Sequence, residues 1–545
     1  MKNTALKTSA HALLSVFAAN GMDRIFLVPG ESYLGLLDAL NDFRFDVVTC
    51  RHEAGAGFMA CADGRLTRRP AIVMVSRGPG ASNAAIALHA AQQDAIPLIL
   101  VIGQIPKAHL RREAFQEIDY QQMYGTIAKW VAEPTDPAQL AEIASKAVRI
   151  AISGTPGPVV IAIPEDIQQQ VVLSAEWEAV GTAVAEPDVD VVRRVHELLV
   201  RAQRPLVVAG GAYEASGGRE ALLRFAEAWQ LPVAVSFRRH DVFPNRNSLY
   251  VGELGLANSE HQLDALRGSD LILALGTRYG DVTSQGYTFP RMPKPQQPFV
   301  HCYPDDHIVG LHYSPDVALV CDPVALAAAL TTRPSLRATS QRSAWLRKLR
   351  AIFEARAAWP QRDPADGVDF TRVVRAVYEQ APRNAMVCLD AGTFAAPVYR
   401  HFQFMYPQRL MAPVSGAMGY GTPAAVACAL RHPERKVICM VGDGGFMMTG
   451  NEMIAAVERK LPILFILANN NCYASIRIHQ DRQYPGRHVG TSLFNPDFAR
   501  NAAAFGMRTE VVERAGEIDA AIARGLAAQT PYFIEVKASL AVTLP

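Results

Sequence analysis

The chain has 545 residues, half of them hydrophobic and 19% charged, a length that suggests about three domains and a composition that allows sizeable cores. Its 54 basic and 52 acidic residues leave a formal net charge of +2 with no basic block, so a nucleic-acid or membrane-surface partner has no support. No apolar run reaches the roughly 18 residues of a membrane span, residues 1–10 lack the apolar core of a secretory signal, and eight scattered cysteines without a CxxC pair argue against a zinc cluster and for a reducing cytoplasm.

Short apolar runs alternate with helical stretches along the chain. Residues 24–28, 71–75, 97–102 and 158–163 read as buried strands, and the Ala-rich stretch 81–93 as a helix between two of them. A further strand over 46–50 runs into Arg51-His-Glu-Ala-Gly-Ala-Gly-Phe-Met59, where Glu53 opens an Ala/Gly-rich helix. The helix dipole favours a carboxylate there, and its sequence neighbours in that helix are apolar. Ser76-Arg-Gly-Pro-Gly-Ala-Ser-Asn83 is a tight turn after a strand. The strand signal fades into a polar, acidic seam over 168–190. A second seam over 333–369 carries Pro334, Pro360 and Pro364. The expected architecture is α/β, with three doubly wound parallel-sheet domains over 1–175, 188–335 and 365–545.

The third segment holds the sharpest signal. Residues 435–441 predict a strand that ends in Gly442-Asp-Gly-Gly445, and Thr449-Gly-Asn-Glu452 has the spacing of a capping box opening the next helix. The strand after that, 461–468, ends in Asn469-Asn470. Neighbouring parallel strands end on one sheet edge, so Asp443 and Asn470 can converge where α/β sheets bind ligands. A carboxylate and an amide oxygen are hard ligands suited to magnesium, while Gly442, Gly444 and Gly445 let backbone N–H groups approach phosphate oxygens. No GxxxxGK[ST] loop is present.

Gly442-Asp443-Gly444 with Asn469-Asn470, which starts 26 residues after Asp443, resembles the motif of thiamin-diphosphate enzymes. Over essentially the whole chain the resemblance is to their acetolactate-synthase-like branch. It implies pyrimidine-binding, central and diphosphate-binding domains in that order. It also implies a magnesium ion held by Asp443, Asn470 and the carbonyl of Cys472. Gly392 and Thr393 match the loop that contacts the diphosphate, and Tyr473 matches a position beside the cofactor. In Pro413-Val-Ser-Gly-Ala-Met-Gly419, Gly416 matches the carbonyl that accepts from the cofactor's 4′-amino group, and Met418 the wedge beneath the bent cofactor. Glu53 matches the catalytic glutamate that selects the reactive pyrimidine tautomer. Asn83 lies in a stretch resembling the pyrimidine pocket, and Phe115 and Gln116 in one resembling a loop at the active centre. In this family the cofactor sits between the first domain of one subunit and the third of another, which implies a homodimer at least and commonly a homotetramer.

The sequence also departs from the biosynthetic members of that branch. The Arg and Trp that receive their second keto acid have no counterpart: Arg278 stands too early in Gly276-Thr-Arg-Tyr-Gly-Asp-Val282, and His479 occupies the Trp position. Thr155 replaces an Arg, and Leu254-Gly-Leu-Ala257 lacks a His, which together count against a bound FAD even though Gly210-Gly211 follows a strand. The expected reaction is decarboxylation of a 2-keto acid, pyruvate first among them, followed by carboligation to an aldehyde or keto acid. Two rivals are a decarboxylase that releases a free aldehyde and a regulatory protein that keeps the fold without the activity.

Overall fold

A computed structural model describes residues 4–181, 185–333 and 339–542; Pro334 lies outside the described residues. Three six-stranded sheets follow one another along the chain, all with parallel pairings. Their inner strands are buried along their whole length, as in Ala71–Val75 and Ile463–Asn469, because helices cover both faces.

With strands numbered one to six within each sheet, the first and third sheets share the order 2-1-3-4-6-5. The middle sheet has the order 3-2-1-4-5-6, that of dinucleotide-binding folds. Both arrangements create a crevice at the carboxyl edge where the winding direction reverses. In the third sheet that crevice lies between Met386–Leu389 and Val437–Gly442.

The two seams contain structure that composition did not announce. Val171–Ala175, inside the first seam, is a strand paired antiparallel with Thr4–Thr8, and Ser340–Ala357 in the second is an 18-residue helix. Thr449 does not cap a helix as its spacing suggested. The helix after the glycine turn starts at Asp443 itself and ends at Thr449, whose hydroxyl donates to the Gly419 carbonyl. Glu452 then turns away to another domain.

The domains lock together through small residues and buried charge. Helix Glu53–Thr67 packs on Gly421–Arg431 and on Pro79–Asp94, and a Cβ at Gly57 would fall 2.2 Å from that of Ala87. Arg65 meets Glu214 at 2.6 Å, Arg239 meets the same carboxylate at 3.4 Å, and Arg409 meets Asp241 at 2.8 Å, so one ion cluster joins all three domains. Among the described residues no helix is long and apolar enough to cross a membrane.

Candidate active site

Two clusters of the expected residues form, one on each of the two sheets of like topology. The first surrounds Glu53, which begins its helix while the preceding His52 caps it, Nδ1 accepting from Ala54 N–H at 3.1 Å. Asn83 Nδ2 donates to Glu53 Oε2 at 2.9 Å. The Gly-Pro-Gly turn closes on the same carboxylate, since a Cβ at Gly80 would lie 3.2 Å from Glu53 Oε1. Gly78 adopts φ +54°, and a Cβ there would meet the Gln116 carbonyl at 2.8 Å, so the loop carrying Phe115 and Gln116 borders the turn. Glu117 shapes that loop by accepting N–H groups from Arg111, Arg112 and Ala114. It presents Phe115 with 78% of its surface exposed.

The second cluster surrounds Asp443. Register pairs Gly442 with Ala468, so Asp443 and Asn469-Asn470 leave the sheet edge side by side. Asp443 is buried, accepting from Gly444 N–H at 2.8 Å and from Asn495 Nδ2 at 2.8 Å. Burial pushes its pKa up and these hydrogen bonds pull against it. Asn470 Oδ1 accepts the Cys472 N–H at 3.1 Å, and the Cys472 carbonyl accepts from Ala474. Tyr473 covers the glycine turn so closely that a Cβ at Gly444 would fall 2.3 Å from its ring. Among the described residues no three His, Cys, Asp or Glu side chains gather as a metal cluster. The donor set is instead one carboxylate, one amide oxygen and a carbonyl, hard oxygens that fit a magnesium ion completing its octahedron with phosphate and water.

Gly392 and Thr393 follow the neighbouring strand end, and the loop of Gly416 and Met418 lies beyond them, with Gly416 exposed at φ +70° and Met418 half-buried. Among the described residues no hydrogen bond or ion pair joins the Glu53 cluster to the Asp443 cluster. Each is flanked by exposed apolar side chains, among them Phe115, Met447, Ile476 and Phe494.

Three polar residues essential to this geometry were not singled out from sequence as site residues. Asp390, at the end of the strand next to Asp443's, gathers backbone N–H groups from two loops, and its position just before Gly392 was a usable signal. Asn495 bridges Asp443 and Asn469, at 2.8 and 2.9 Å, from a loop with no local marker. Glu452 reaches the turn before Glu53.

A cavity of about 860 Å³ lies between the first and middle domains, lined by Gln93, Arg149, Gly211, Gly276, Arg278 and Asp322 among others and by neither Glu53 nor Asp443. Arg278 is spent there on the carbonyls that end a helix of the first domain, those of Gln92, at 3.4 Å, and Gln93.

Two sheets of like topology, each carrying one of these clusters at its strand ends, are the arrangement of a thiamin-diphosphate-dependent enzyme. Models of thiamine pyrophosphate enzymes match in the same order: the N-terminal TPP binding domain over residues 7–123, the central domain over 192–330 and the C-terminal TPP binding domain over 390–536. The acetolactate synthase large subunit of Parasynechococcus marenigrum (strain WH8102) is 30% identical, over 97% of this chain and 87% of its own. The isozyme 1 large subunit of Escherichia coli (strain K12) acetolactate synthase is 31% identical, over 92% and 89%. The thiamine diphosphate-dependent 4-hydroxybenzoylformate decarboxylase of Rhodococcus jostii RHA1 shares the fold, with a TM-score of 0.84 at 23% identity over 98% of this chain and 99% of that one. The chain belongs to the thiamine pyrophosphate enzyme family, in its acetolactate-synthase-like branch.

Proposed function

We propose that this enzyme decarboxylates a 2-keto acid, pyruvate foremost, and joins the remaining carbon unit to an aldehyde or a second keto acid. The observation that carries the reading is the pair of half-sites, Glu53 with Asn83 on one sheet edge and Asp443 with Asn470 on the matching edge of its topological twin. When bound, thiamin diphosphate supplies the nucleophilic carbon and the electron sink that decarboxylation needs.

The chain's own residues have distinct tasks. Asp443, Asn470 and the Cys472 carbonyl would hold the magnesium, and Gly442, Gly444, Gly445, Gly392 and Thr393 would border the diphosphate, with Tyr473 closing over the turn. Gly416 and Met418 orient the pyrimidine end. Glu53 holds and releases the proton that selects the reactive tautomer, with Asn83 fixing its Oε2. Phe115 and Gln116 line the substrate side of that half-site. The halves meet in a homodimer, and a tetramer would pair two such dimers. Exposed apolar residues around both halves support this assembly. The domain limits that go with the reading are 1–175, 188–335 and 365–545. Eight free, buried thiols accord with a cytoplasmic setting.

FAD stays outside the proposal. Arg278 is committed to backbone carbonyls and Arg239 to Glu214 and the Asp94 carbonyl, and Thr155 brings no charge to the central cavity. The same commitment of Arg278 favours a second reading, a decarboxylase that releases a free aldehyde, since no arginine is thereby assigned to an acceptor carboxylate. Product analysis from pyruvate, with and without an added aldehyde or keto acid, separates the two. A new carbon–carbon bond supports carboligation, and free aldehyde alone overturns it.

A further inference from the structure

Asp390 directly follows the first strand of the C-terminal sheet, Met386–Leu389, and is 0% exposed. Its Oδ1 accepts the N–H groups of Ala391 at 2.6 Å and Gly419 at 2.9 Å, and its Oδ2 those of Gly419 at 3.0 Å and Gly421 at 3.4 Å. A Cβ at Gly445 would fall 2.9 Å from Oδ2, and one at Gly421 would fall 3.0 Å from the Asp390 Cβ. One carboxylate therefore touches three chain segments: the strand end leading to Gly392-Thr393, the loop running from Pro413 through Gly416 and Met418, and the glycine turn after Asp443. Among the described residues no ion pair reaches it. Burial raises its pKa, to about 6, while the N–H groups and the charge of Arg238 pull it back.

A buried carboxylate without a direct ion pair is costly, so a filler role would be served better by an apolar side chain. What a carboxylate offers is two acceptor oxygens and no donor. An amide of the same size has one acceptor oxygen, and its NH2 group would face backbone N–H donors. We propose that Asp390 is a positioning residue that sets the spacing between the loop holding the diphosphate and the loop orienting the pyrimidine. This rests on the assignment of those loops to thiamin diphosphate. Asp390 touches neither cofactor nor substrate in this account; it acts through Gly419, Ala391 and Gly445.

The test compares wild type, Asp390→Asn and Gly421→Ala as full-length purified enzymes. Calorimetry measures thiamin diphosphate binding in magnesium, thermal melting without cofactor measures fold stability, and steady-state kinetics at saturating cofactor separate kcat from KM. Losing hydrogen bonds to a charged group corresponds to roughly 10- to 100-fold, so Asp390→Asn is expected to bind the cofactor at least about tenfold more weakly. Its kcat should fall while KM for the keto acid stays within about twofold. Gly421→Ala, which displaces Asp390 by only a few tenths of an ångström, should weaken binding about threefold or more in the same direction. It supplies the answer if Asp390→Asn does not fold. Cofactor affinity within about twofold of wild type in either folded variant overturns the inference. Failure of the wild type itself to bind thiamin diphosphate overturns the underlying reading instead.

Discussion

Glu452 of the C-terminal domain fastens the turn that presents Glu53: its Oε1 accepts the N–H groups of Arg51 and His52, each at 2.9 Å, and among the described residues its Oε2 has no hydrogen-bond partner. Gly55 makes the room, since a Cβ there would lie 2.6 Å from the Glu452 side chain. The domain that carries Asp443 and Asn470 therefore also holds the turn that leads into Glu53 on its own N-terminal domain.

Burial raises the Glu452 pKa to about 7, with the nearby Glu53 charge adding to it and Arg51 opposing it. A carboxyl whose folded pKa is raised favours folding below its unfolded value and loses that contribution as pH rises through about 7. Glu452→Gln keeps the acceptor oxygen and cannot ionise. Its melting temperature relative to wild type should therefore be higher at pH 8 than at pH 5, by several degrees. Glu452→Ala should lose both hydrogen bonds and cost about 1–3 kcal/mol at either pH. An identical difference at both pH values for Glu452→Gln contradicts the burial of an ionising group.

Much of this fold could be read from the chain because many of its strands are short, buried and apolar, as in Ala71–Val75 and Ile463–Asn469, and therefore advertise themselves. The Asp443 and Asn470 cluster was legible for a related reason: its parts hang from consecutive strand ends, so order along the chain translates into proximity. Glu452 misled, because a Thr three residues before a Glu is a helix-start pattern only when nothing else competes. Here the Gly419 carbonyl takes the Thr449 hydroxyl, and N–H groups some 400 residues away take the carboxylate. Asn495 gives no local signal at all, since its meaning lies wholly in two contacts across a loop.

Gly444→Ala tests the closeness of Tyr473 to the glycine turn. The added methyl would fall 2.3 Å from a ring carbon, so the ring or the turn must move. Overpacking of this kind costs about 1–3 kcal/mol. Both the melting temperature and thiamin diphosphate affinity should drop, as seen by thermal melting and calorimetry. A variant with unchanged cofactor affinity would place the ring elsewhere.

Glu214 holds Arg65 of the first domain and Arg239 of the second within one buried cluster. Glu214→Ala leaves two buried guanidinium groups short of a counter-charge, at a cost of about 3–5 kcal/mol. Chemical denaturation should show this as a lower midpoint. A loss below about 1 kcal/mol, the range of exposed pairs, would mean the cluster is solvated.

Because no hydrogen bond or ion pair among the described residues joins the two clusters within one chain, the proposed dimer site predicts that two inactive variants complement each other. Glu53→Gln and Asp443→Asn should each be nearly inactive alone. Mixed at equal amounts through unfolding and refolding or co-expression, they should recover about a quarter of wild-type activity, since half of the dimers are mixed and each holds one intact site. No recovery in demonstrably mixed dimers would mean that each chain completes its own site.

The most direct test of the central claim is CO2 release from a panel of 2-keto acids by purified wild type and Glu53→Gln, each with and without thiamin diphosphate and magnesium. The account predicts release from at least one short 2-keto acid that depends on both additions and falls by roughly 100-fold or more in Glu53→Gln. Release that needs neither addition, or that is undiminished in Glu53→Gln, would contradict it.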